Sequence, residues 1–184
     1  MKTSIIYKKG FTLIEALVAV TMLSLVIASV MGLAQASIAG NTYAQAQVTA
    51  NYLAGEAIEY IRNKRDNQFL QYPTQIQSIP SVWLDTIEDS CFSTGCDVDT
   101  QNTNINNGFI VCQGVCDPLN FDSLIDTGFY QHQTGNPSNF RRTITIENIN
   151  DYEIAVRVVI SSDSGFFKQT PLVVVEHMSK WYKP

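Results

Sequence analysis

The chain has 184 residues, of which 45% are hydrophobic and 16% charged, with a formal net charge of −5 and a pI of about 4.9. This acidic balance excludes a basic patch for nucleic acid. Lys2, Lys8 and Lys9 are the only charged side chains among the first ten residues, and taking those three positives from −5 leaves −8 on the rest.

The stretch KKGFTLIEALVAV, Lys8 to Val20, opens an apolar run with one acid, Glu15. After Glu15 no charged side chain occurs until Glu56. Such a run reads as a membrane-spanning helix. Ala16 to Ala34 is nineteen residues, about 28 Å of helix, which matches a hydrocarbon core of about 30 Å. Lysines before the run and none soon after predict the amino terminus inside and the bulk outside. The run is too long for an ordinary secretory h-region, although Ala28-Ser29-Val30 and Ala34-Gln35-Ala36 imitate a small-residue cleavage site. A carboxylate inside a bilayer costs roughly 2.5–3.5 kcal/mol, so Glu15 marks a functional site that needs a partner.

Gly10-Phe11-Thr12-Leu13-Ile14-Glu15, behind Lys8-Lys9, resembles the class III leader of type IV pilins and pseudopilins. The resemblance implies a cleaved prepilin leader over 1–10, cut between Gly10 and Phe11 by a prepilin peptidase. It implies methylation of the new Phe11 amine and a role for Glu15 in assembly. A neighbouring subunit's Phe11 ammonium pairing with Glu15 would offset the desolvation of both charges and fix the stagger between subunits. Many major pilins carry a proline in the middle of this helix. Here Gly32 stands about there, and glycine weakens a helix interior by about 0.5–1 kcal/mol.

The domain reading follows from this start: a transmembrane or filament-core helix over 11–34, an amphipathic half over 35–72 and an extracytoplasmic head over 73–184. In the amphipathic half, Ala50, Leu53, Ala54, Ala57, Ile58 and Ile61 make an apolar stripe at helical spacing. Glu59 with Arg62, and Arg62 with Asp66, are spaced for ion pairs. The helix is expected to stop before Pro73. The segment LAGEAIEYIRNKRDNQF, Leu53 to Phe69, is similar to the corresponding helix of PilV-like minor pilins.

Residues 73–107 read as an irregular polar loop with a short helix around Val82 to Ile87. Strands are expected at Phe109–Cys112, Phe129–His132, Phe140–Glu147, Tyr152–Ser161 and Pro171–Met178, with turns at Asn148–Asp151 and Ser162–Gly165. Ile154, Val156, Val158 and Ile160 fall on one face of the fourth of these, with Arg157 on the other. Leu172 to Val175 is apolar on both faces, which predicts a mid-sheet strand or one against the helix. Phe129 to His132, Asn139 to Glu147, Glu153 to Ile160 and a last strand before Trp181 resemble the carboxy-terminal sheet of the same minor pilins.

Cys91, Cys96, Cys112 and Cys116 form two close pairs. An oxidising compartment favours two disulfides, in any of three connectivities, over a four-cysteine zinc site or free thiols. Asp97 and Asp99 open like a calcium loop, but Asn102 stands where glycine is needed and Gly108 where the bidentate glutamate belongs. A solvated acidic loop is the expectation. His132 and His177 belong to no triad, nucleophile elbow or metal signature and read as sheet residues. No catalytic site, metal or cofactor is expected.

The sequence reads as an α+β, type IV pilin-like protein with a long amino-terminal helix on a small antiparallel head. The resemblance implies a minor pilin that initiates, assembles or modifies a type IV pilus. Its partners would be other pilins and minor pilins, the prepilin peptidase, the inner-membrane assembly platform and the membrane itself. It would be single-pass in the cytoplasmic membrane and then join an extracellular or periplasmic filament. The alternatives are a pseudopilin of a type II secretion system and an adhesive tip subunit.

Overall fold

The computed structural model describes residues 10–72, 82–101, 108–122, 128–163 and 170–180. The expected leader before Gly10, the loop stretches 73–81 and 102–107, the turn residues Ser164 and Gly165, and Trp181 lie outside them.

Helix α1 covers Leu13–Gln71. The chain divides into two compact units, Met1–Gln45 and Ala46–Pro184. In the first, every residue from Gly10 to Gln45 is exposed, and the helix is long and apolar enough to cross a membrane. Its hydroxyls turn back on their own helix. Thr21 donates to the Val18 carbonyl (2.8 Å), Ser24 to Val20 (2.8 Å), Ser29 to Leu25 (2.6 Å) and Thr42 to Ile38 (3.0 Å). Polar atoms satisfied this way need no water, which suits an apolar surround.

In the second unit the predicted stripe is the packing face. Ala50, Leu53, Ala54, Ala57, Ile58 and Ile61 are all buried. Alanines at three of these positions keep the helix close to the sheet. The helix ends where expected: the Tyr72 N–H donates to the Gln68 carbonyl at 3.0 Å, just before Pro73. Of the expected ion pairs, Arg62–Glu59 forms but Arg62–Asp66 does not. Arg62 instead turns to Glu176 on the sheet, and Asp66 takes Arg65 at 2.8 Å. The tertiary partner outcompetes the local one.

Among the described residues seven strands build one antiparallel sheet: β1 (Cys96–Val98), β2 (Phe109–Val111), β3 (Pro118–Asp122), β4 (Phe129–Gln131), β5 (Asn136–Asn150), β6 (Glu153–Ser162) and β7 (Leu172–Ser179). The long β5 is the spine. Along one edge it pairs with β6, and along the other with β3 and, at Ile144, with β1. Strand β2 pairs with β1, β4 with β3, and β7 with β6. Ile144 and Ile146 of β5, and Ile154, Val156, Val158 and Ile160 of β6, point to the helix side and are buried, while Arg157 is exposed. This is the α+β, type IV pilin-like arrangement that the sequence predicts.

Several local expectations change. β1 and β3 carry no alternating pattern and escape sequence reading; β1 is buried at all three positions. Strand β5 runs on to Asn150, so the turn shrinks from the expected Asn148–Asp151 to Asp151 and Tyr152. Among the described residues strand β7 pairs with β6 alone, so it is not mid-sheet, but the alternative expectation of a strand against the helix holds: Glu176 meets Arg62 of α1, while Val173 and Val175 are exposed on the outer face. The short helix expected around Val82 to Ile87 is a 3-10 turn over Val82–Leu84, followed by another at Asp89–Phe92. The polar loop is not solvated throughout. Trp83, Ile87, Cys91, Cys96 and Val98 all enter the core, and Trp83 lies 6.3 Å from the Phe69 ring.

The cysteines pair locally. Cys91–Cys96 ties the second 3-10 turn to β1, and Cys112–Cys116 closes the connection between β2 and β3. Loops this short give each bridge about 2 kcal/mol on chain-entropy grounds, below what a link between the two clusters would give.

Gly135 holds the turn before β5 at φ +103°, and a Cβ there would stand 2.6 Å from the Phe121 carbonyl oxygen. Gly114 also has positive φ, at +92°, but faces open space. Gly135→Ala should therefore cost roughly 2–4 kcal/mol and Gly114→Ala only about 1 kcal/mol. Thermal melts followed by tryptophan fluorescence check the order; equal losses would contradict the contact argument.

Candidate functional site

Two places gather functional side chains. The first is the start of α1. Thr12 sits just before the helix, and its Oγ1 accepts the Glu15 N–H at 3.3 Å. The Ala16 N–H donates to the Thr12 carbonyl at 3.2 Å. Thr12 is thus an N-cap, and Thr12-x-x-Glu15 has the spacing of a capping box. That signal is legible in the sequence and was missed there. A carboxylate in the first turn is favoured by the helix dipole. Phe11, Leu13 and Ile14 are exposed, at 71%, 84% and 72%. Gly10 and Phe11 lie outside the helix.

The second place is a buried polar cluster in the head, built on Arg142 of β5. Its guanidinium is 1% exposed and uses all three nitrogens. Nε donates to Asp97 Oδ1 (2.5 Å), Nη1 to Glu56 Oε2 (2.7 Å) and the Leu53 carbonyl (3.0 Å), and Nη2 to the Val98 carbonyl (2.6 Å). One side chain so joins α1, β1 and β5. Desolvation is the largest single influence on Arg142 and acts to lower its pKa. The charges of Asp97 and Glu56 and the hydrogen bonds to them act together against it, and the net pKa is raised.

The acids around it are fully used. Asp97 Oδ1 also accepts the Val98 N–H at 2.7 Å, and Oδ2 meets His132 Nε2 at 2.8 Å. Asp99 accepts the Gln101 N–H at 3.0 Å and the His132 N–H at 3.3 Å. Thr100 donates to Glu56 at 2.7 Å. Asp97 and Asp99 are 0% and 2% exposed, so the expectation of a solvated acidic loop is corrected. Their oxygens face arginine, histidine and backbone N–H groups. Among the described residues no group of three or more His, Cys, Asp and Glu stands as a metal site.

His132 lies one residue beyond β4 and reaches into the cluster, so it is not a sheet residue as expected. His177 does lie on a strand, β7, where its Nδ1 meets Glu153 at 2.8 Å. Tyr60 borders the cluster, and its pKa is raised by burial and then by the charge of Asp99. Of the site residues named from sequence, Gly10, Phe11 and Glu15 belong to the first place and the cysteines to the two disulfides; in the second, sequence reading singled out Asp97, Asp99 and His132 but missed Arg142, on which the cluster is built. Its signal was an arginine at an inward position of an alternating strand, since Arg142 shares the face of Ile144 and Ile146.

Residues 6–31 match the prokaryotic N-terminal methylation motif, a family description that covers Phe11 and Glu15. This match supports the pilin and pseudopilin superfamily for the chain. No curated protein and no solved structure matches it.

Arg142→Ala would leave Asp97 buried without its counter-charge, a loss of about 3–5 kcal/mol. Arg142→Lys keeps the charge but not the fork that reaches four acceptors, so it should recover little of that loss. Chemical denaturation of the purified chain measures both. A near-wild-type lysine variant would mean that charge alone, not fork geometry, holds the cluster.

Proposed function

We propose that this chain is a minor pilin that is cleaved after Gly10, methylated on Phe11 and built into a type IV pilus through its amino-terminal helix. The observation that carries the reading is the methylation motif at 6–31, laid over an apolar helical run in which Glu15 is the one acid before Glu56. A pilin-like leader and a long apolar helix fit a membrane-anchored protein that a prepilin peptidase processes and a pilus-like assembly takes up. Nothing in this role calls for catalysis by the chain.

The Phe11 ammonium and the Glu15 carboxylate are each costly in an apolar surround. A free amine on one subunit, set against Glu15 of the next, would neutralise both. The finer assignment, minor rather than major pilin, draws support from two segments similar to PilV-like minor pilins. Leu53 and Glu56 belong to one and Arg142 to the other, and they bond directly to each other in the head.

Processing is tested by mass spectrometry of the membrane fraction, which should find a mature chain beginning at N-methyl Phe11. A chain that retains Lys8 and Lys9, or begins after Ala36, would refute the leader. Glu15→Gln is expected to insert as well as wild type or slightly better, because the charge penalty disappears, yet to be missing from sheared pili. Normal incorporation of that variant would refute the pairing role. Finding wild-type protein in secretion pseudopili and never in pili would move the assignment to a type II secretion pseudopilin.

A further inference from the structure

The sheet ends in unequal edges. β2 and β4 are three residues each, too short to template another strand. β7 is eight residues, holds an unbroken register with β6, and has no strand on its far side among the described residues. It contains no proline, lysine or bulge, and its one acid, Glu176, is held by Arg62 of α1 on the inner face.

The register fixes which backbone groups are free. The Lys180 N–H donates to the Tyr152 carbonyl at 2.8 Å. In an antiparallel ladder hydrogen-bonded pairs alternate, so residues 178, 176, 174 and 172 also direct their backbone groups to β6. Val173, Val175, His177 and Ser179 then direct theirs outward. The Ser179 carbonyl bears this phase out, because Arg65 of α1 approaches it at 3.5 Å from the open side. Val173 and Val175 are also exposed in their side chains, at 40% and 49%.

We propose that β7 pairs with β7 of a second copy of this chain, antiparallel, about a two-fold axis at Val175. In that register Val175 faces Val175, and Val173 faces His177. All of them are outward-directed residues, so every donor meets an acceptor. The next such pair would set Pro171 against Ser179. Pro171 has no N–H to give, and the Ser179 carbonyl it would leave unserved is the one that Arg65 reaches within the same chain. This match between the two ends of one strand favours a second copy over an unrelated strand. On the outer face the valines cover one another. On the inner face Glu176, already paired with Arg62, meets Val174, so no like charges stand directly opposed.

The test uses full-length protein in native membranes. Paired Val175 Cα atoms would lie about 5.5 Å apart, within the span of a disulfide. Val175→Cys should therefore give a disulfide-linked homodimer on mild oxidation. Val173→Cys alone should stay monomeric, because its own copy lies about 13 Å away along the strand. Val173→Cys combined with His177→Cys should dimerise again, and adding Val175→Pro should abolish it. Proline at 175 removes an outward N–H and leaves the β6 ladder intact. A monomeric Val175→Cys chain, equal cross-linking from 173 and 175, or linkage to a protein of different mass would each overturn the proposal.

Discussion

The head of this protein depends on how a single buried cation is held. A guanidinium removed from water is tolerated only where carboxylates and carbonyls replace the lost hydration. Arg142, on β5, meets that demand with acceptors from two other elements: the Leu53 carbonyl and Glu56 on α1, and Asp97 and the Val98 carbonyl on β1. The helix, the short β1 and the spine strand must all be in place before the charge is satisfied. Apolar packing of Ile144, Ile154 and Ile61 supplies most of the burial, but such contacts are forgiving of register. The arginine is not, because a strand slip of one residue would swing it to the outer face.

The same constraint explains the loop before β1. Its composition is polar, yet Trp83, Ile87 and Val98 reach the core and the Cys91–Cys96 bridge pins the approach. Asp97 must be buried to meet Arg142, and burying it draws its neighbours in. His132 then closes the far side of Asp97 from beyond β4. Residues that look like a fragment of a cation loop are in fact the acceptors of a cation that the chain itself supplies.

The first unit follows a different rule. From Phe11 to Gln45 every residue is exposed, the surface is mainly apolar as far as Ala34, and the hydroxyls of Thr21, Ser24, Ser29 and Thr42 bond inward to their own helix. The helix is long and apolar enough to cross a membrane, and backbone groups bonded within a helix need no water there. Thr12 caps its start, and Glu15 places a negative charge in its first turn, where the dipole welcomes one.

The sequence by itself determined the features written in one-dimensional periodicity. Helix α1, its Ala50-to-Ile61 stripe, strands β5 and β6 with their buried faces, and the methylation motif around Phe11 are all legible, because spacing along the chain is the cause of each. Tertiary structure alone decided what depends on residues far apart. β1 and β3 are too short and too polar to show alternation, and they exist because β5 offers them an edge. Arg62 prefers Glu176 to its helical neighbour Asp66, and the cysteines pair locally where three connectivities were open. Strand β7 became an edge because β6 has only one free side once β5 has taken the other. The fate of Asp97 was likewise set by an arginine 45 residues away; no local pattern encodes the partner that a buried charge will find.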